Sequence, residues 1–138
     1  MAEFLSDLDL RALPRGLWIV LAPFRVRLDA LGGRVVSVPA GFITDLASVP
    51  RLPFVYWTVG NRARKAATIH DYLTQVHVVS RRAGDLAFHE IAVIEEGEPV
   101  STAMWAGIRA FGWWAYRTGP RRFARFDNQK KERRHGLR

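Results

Sequence analysis

The chain has 138 residues, 49% of them hydrophobic, which suits one domain with one core. It has no cysteine, which excludes a disulfide framework and any thiolate metal site. The net charge of +8 is unevenly spread: from Arg121 on, RRFARFDNQKKERRHGLR holds eight Lys/Arg and two acids, and so carries +6 of it. The expected organisation is therefore a globular domain over residues 1–120, nearly neutral, with a basic arm over 121–138.

The N-terminal stretch MAEFLSDLDLRAL bears acids where a secretion signal needs a basic start and a long apolar run, so it is not expected to be one. From Gly16, GLWIVLAPFRVRLDAL reads as extended chain. Within it Phe24, Val26 and Leu28 alternate with Arg25, Arg27 and Asp29, the period of a strand with one buried face. Gly32-Gly33 is a turn signal and RVVSVPA a returning strand, so a hairpin is expected. Pro39 and Gly41 end regular pairing, and GFITDLASVPRLPF reads as an ordered loop.

Asn61 is placed to cap a helix through RARKAATIHDYLTQVHV, with Ala66, Ile69, Leu73 and Val76 as its apolar stripe. Ser80 caps a second helix, RRAGDLAFHEIAVIEE, which Gly97 and Pro99 stop. A third begins at Ser101 and runs through Tyr116, before Gly119-Pro120. Its stretch from Val100 to Tyr116 is too short to span a bilayer, and Arg109 would sit near the middle, so no membrane span is expected. Strands followed by helices predict an α+β domain: a small antiparallel hairpin or sheet packed against about three helices, with the basic extension behind.

Polar groups stand where packing alone does not ask for them at three places: Thr44, Asp45 and Ser48 in the loop, His70-Asp71 in the first helix, and Asp85 in the second. Asp85 and His89 lie at i, i+4 and share a face. If the first two helices pack antiparallel, His70 and Asp85 converge with Asp45. A carboxylate orienting an imidazole is the equipment of general acid–base catalysis, and the same side-chain types hold a divalent metal. Against that, no HExxH, nucleophile elbow or phosphate loop is present. An aspartate in a Pro/Gly-rich loop commonly fixes the turn by accepting backbone N–H bonds, and a histidine at the edge of an apolar stripe is commonly a bonded core residue. His77 and His89 read as surface or boundary residues.

In the third helix Trp105, Arg109 and Trp113 share one stripe, and Met104, Ile108, Phe111 and Ala115 form another. If the second stripe faces the core, the first presents side chains of the kind enriched at interface hot spots; the alternative is a helix buried nearly all round, with Arg109 reaching out to water. The arm has the charge to neutralise phosphates without reading bases, and suits an acidic protein surface equally.

Three stretches, VPAGFITDLASVPR, AATIHDYL and RRAGD with Phe88 following, resemble in order the domain-of-unknown-function family 1353 of phages, prophages and gene-transfer-like elements. The family's polar motif positions correspond here to Thr44, Asp45, Ser48, Arg51, His70, Asp71 and Asp85. The resemblance implies a late-gene product for particle assembly or lysis, made in the host cytoplasm, and implies no particular reaction.

Two functions are compatible with these readings. One is a virion-associated component of a tail or neck, acting by contacts with other phage structural proteins in an oligomeric assembly. The other is a small hydrolase, with or without a divalent metal, acting on peptidoglycan through His70, Asp45 and Asp85.

Overall fold

The computed structural model describes residues 1–46, 63–77 and 79–110. Six strands form two antiparallel sheets. In the first, β4 (Phe24–Leu28) lies between β1 (Glu3–Phe4) and β5 (Arg34–Val38). In the second, β3 (Leu17–Val20) lies between β2 (Leu10–Leu13) and β6 (Ile43–Thr44). Three helices follow: α1 (Arg64–Val76), α2 (Arg81–Glu96) and α3 (residues 100–110). The α+β expectation holds, with two small sheets.

The expected hairpin is β4–β5, registered from Phe24↔Val38 to Leu28↔Arg34. Its turn uses a short 3-10 segment, Asp29–Leu31, then Gly32 and Gly33 at φ 68° and 75°, a region where a side chain is strained. The period-two pattern of β4 is borne out: Phe24, Val26 and Leu28 are fully buried, while Arg25 and Arg27 face water. Each of those apolar side chains contributes roughly 1.5–3 kcal/mol by burial.

They pack with Val36 and Val38 of β5 against Ala66, Ile69 and Leu73 of α1, Phe88, Ile91 and Ala92 of α2, and Met104 and Ile108 of α3. Val76 leaves this stripe and is exposed, because α1 ends there. The stretch expected to be all loop starts with a strand instead, since Ile43 and Thr44 pair with Ile19 and Trp18. The rest of that loop and the boundary at residue 120 lie outside the described residues, as does Asn61. No helix among the described residues is long and apolar enough to cross a membrane.

Ser80 caps α2 as expected, its hydroxyl accepting the N–H of Ala83 at 3.2 Å, and the helix stops at Gly97. The start of α1 is held differently. Ala63 occupies its N-cap position, where it has no side-chain oxygen to offer. The first N–H groups of α1 donate to the far end of α2: Lys65 and Ala66 to the two oxygens of Glu95 (3.0 Å each), and Ala63 to Glu96 (3.0 Å). In the same way Glu90 accepts from Asp29 (2.9 Å) and Ala30 (2.7 Å) at the hairpin turn. Carboxylates at a helix N-terminus also meet the positive end of its dipole.

Burial pushes the Glu95 carboxyl above its ordinary range, against the two N–H bonds that pull it down. A carboxyl with a raised folded-state pKa binds more protons folded than unfolded, so its contribution to stability grows as pH falls from the raised value toward the ordinary one. Urea midpoints of the parent and Glu95→Gln across that window are expected to show the parent gaining relative to the variant on acidification. A flat difference would mean that Glu95 titrates normally.

Candidate functional site: a buried carboxylate shared by three helices

Helices α1 and α2 run antiparallel, since residue 66 meets residue 95 and residue 70 meets residue 85. This arrangement brings His70 to Asp85. Nε2 of His70 lies 2.7 Å from Oδ1 of Asp85, in a site where the histidine is 5% and the aspartate 1% exposed. The other oxygen of Asp85, Oδ2, accepts from a guanidinium nitrogen of Arg109 on α3 at 3.0 Å, and Nε of Arg81 lies 3.7 Å away. A carboxylate beside two guanidinium groups acts as acceptor, so Nε2 carries the imidazole proton and donates it. Phe88 closes the site, meeting the His70 ring edge-on with centroids 5.8 Å apart. One carboxylate thus ties together all three helices.

One residue further along α1, Asp71 points to the sheet. It accepts the hydroxyl proton of Thr44, itself 1% exposed, and the Thr44 oxygen in turn accepts the N–H of Leu46 at 3.0 Å. Successive residues of a helix point about 100° apart, so His70 and Asp71 serve different neighbours, α2 and β6. Asp45 follows Thr44 and is half-buried. Ser48 and Arg51, the remaining motif positions, lie outside the described residues.

The face that Asp85 and His89 were expected to share is divided. His89 turns toward α3, with Nε2 3.2 Å from Glu98 and 3.3 Å from the Thr102 hydroxyl, and its ring packs edge-on against Trp105. The Thr102 hydroxyl holds the Glu98 carboxyl below its usual range. His77 is exposed at the end of α1.

The stripe of α3 that faces the core is Met104 and Ile108. Trp105 is half-buried on the neighbouring face, and Arg109, exposed overall, also reaches back to Asp85. Trp113 lies outside the described residues.

Sequence reasoning missed Arg81, although its spacing of four from Asp85 was a readable signal. Arg81 also donates to the carbonyls of Ile108 and Arg109, which seats α3 on the start of α2. No group of three or more His, Asp or Glu side chains among the described residues is arranged to hold a metal ion. At Asp85 the positions a metal would take are occupied by an imidazole N–H and a guanidinium.

This arrangement joins the elements around it as a structural lock would. The Asp85 carboxylate oxygens are engaged, the threonine hydroxyl is bonded to Asp71, and both groups are buried. Removing one partner leaves a buried polar group unpaired, at about 1–3 kcal/mol. His70→Ala, Asp85→Asn and Thr44→Val are each expected to lose that much in unfolding free energy measured by denaturant titration. Unchanged or increased stability in all three would mean that the groups are kept for chemistry instead.

A family model described as "Protein of unknown function (DUF1353)" matches residues 8–108, a span that includes β2 to β6, Thr44, His70, Asp71, Asp85 and most of α3, and ends one residue before Arg109. None of the curated proteins and none of the solved structures matches the chain.

Proposed function

The chain belongs to the DUF1353 family of proteins of unknown function, and from its site we propose that it is a phage or prophage late-gene product acting by protein–protein contacts as a tail or neck component of the particle. The observation that carries the non-catalytic part is the engagement of Asp85: at 1% exposure its two oxygens are bound by His70 and Arg109. An imidazole and a carboxylate arranged in this way hold helices together, and both oxygens of the carboxylate are already taken. The phage setting rests on the resemblance of VPAGFITDLASVPR, AATIHDYL and RRAGD. The half-buried Trp105 and the eight cations of the 121–138 arm are the contact elements, the arm toward an acidic protein surface or nucleic acid. The protein is then made in the host cytoplasm and carried into the virion.

A second reading, a small peptidoglycan hydrolase, draws on the 2.7 Å His70–Asp85 contact, which is the spacing of a carboxylate that orients a catalytic imidazole. A divalent metal at this site would first have to displace Arg109 from Asp85.

Quantitative mass spectrometry of washed particles is expected to find the protein at a fixed copy number. Purified cell-wall sacculi incubated with the full chain are expected to release no fragments. Fragment release that His70→Ala abolishes, at a temperature where the variant is still folded, would overturn the contact reading in favour of the hydrolase.

A further inference from the structure

Among the described residues, strand β5 is an edge with a free side. Leu5 donates its N–H to the carbonyl of Arg25 at 3.0 Å, so Arg25 turns its backbone groups toward β1. By the alternation of antiparallel ladders, Phe24, Val26 and Leu28 turn theirs toward β5. Their partners there are Val38, Val36 and Arg34. Val35 and Ser37 therefore direct their N–H and C=O groups away from the sheet, and no described residue bonds to them.

Proteins ordinarily blunt such an edge with proline, a bulge or charged side chains at the outward positions. Here both outward positions are neutral, Val35 is 41% exposed, and Pro39 comes only after the strand ends. On the same solvent face, Arg27 is ion-paired with Glu3, whereas Arg25 has no ion pair among the described residues. Arg25 stands directly across from Ser37, whose short side chain leaves its path over the edge open.

We propose that β5 is a docking edge for an extended, acidic segment of another protein. The segment adds a fourth strand to the sheet, bonding through its backbone to Val35 and Ser37, with a carboxylate opposite Ser37 that Arg25 reaches across the small side chain. Main-chain bonds supply the affinity in this mode of recognition and the charge supplies the choice. The inference deepens the contact reading and rests on it, by naming the chemistry of one partner.

The test uses the full chain and two short synthetic fluorescein-labelled peptides of valine and threonine, one carrying a central aspartate and the other a lysine. The aspartate peptide is expected to bind more tightly by fluorescence anisotropy and to slow amide exchange at Val35 and Ser37. Ser37→Pro removes an N–H that points to solvent and spares the β4–β5 bonds, so the fold is retained; it is expected to weaken binding about tenfold. Arg25→Glu is expected to reverse the order of the two peptides, and it decides the matter should Ser37→Pro fail to fold. Binding of neither peptide, or equal binding of both in the parent and in Arg25→Glu, overturns the proposal. So does a dimer, abolished by Ser37→Pro, in which a second copy of the chain covers the edge. Absence of the protein from particles would overturn the particle role without changing any of these peptide results.

Discussion

A carboxylate taken out of water must find cations or donors for its oxygens, and at Asp85 this requirement organises the helical half of the protein. Its partners come from three directions: His70 from α1, Arg109 from α3, and Arg81 from one turn earlier on α2. None of these helices can shift along another without leaving a charge unpaired. Such a buried network contributes little net stability, because desolvating the groups costs about what their attraction returns; its effect is that wrong packings are penalised heavily. The apolar contacts of Ile69, Phe88 and Ile108 supply the burial, and Asp85 ties the helices together where they meet.

Helix α2 extends the same logic to the rest of the fold. All four of its acidic residues, Asp85, Glu90, Glu95 and Glu96, accept hydrogen bonds from other elements. Glu95 and Glu96 serve the uncapped start of α1, and Glu90 serves the hairpin turn. At the same end of α1, Lys65 lies over the ring of Phe4 and Arg64 over that of Trp18, so the first turn of the helix is fastened to both sheets. These acids are thus committed to contacts between elements of the fold. The docking edge proposed beside Arg25 and the basic 121–138 arm both have a charge that suits acidic partners. This consistency is the physical content of the contact reading.

Under the proposed contact function, residues with the chemistry of a catalyst serve as a lock. His70 and Asp85 have the side-chain types and the separation of a catalytic pair, and Thr44 with Asp71 adds a hydroxyl and a second carboxylate nearby. What separates the two roles is access and commitment. A catalytic imidazole needs its orienting carboxylate and a face open to substrate, whereas here the carboxylate also neutralises guanidinium groups inside a closed helix junction.

Features set by neighbours in the chain were legible in the sequence. The alternation of Phe24, Val26 and Leu28, the Gly32-Gly33 turn, the Ser80 cap and the Gly97 stop are each decided within a few residues, because backbone geometry and solvent contrast act over that range. The meeting of His70 with Asp85 followed from the same reasoning once an antiparallel helix pair was assumed. The partners of His89, the return of Arg109 to Asp85, the bond from Thr44 to Asp71 and the capping of α1 by Glu95 were not legible. They join residues 9 to 30 positions apart, and spacing along one helix cannot say which neighbour packs against which face. The sequence alone therefore determined the β4–β5 hairpin, the three helices, the family and the polar residues worth watching. Tertiary structure decided which of those residues meet and whether they face water, since burial and pairing of charge exist only once the elements have packed.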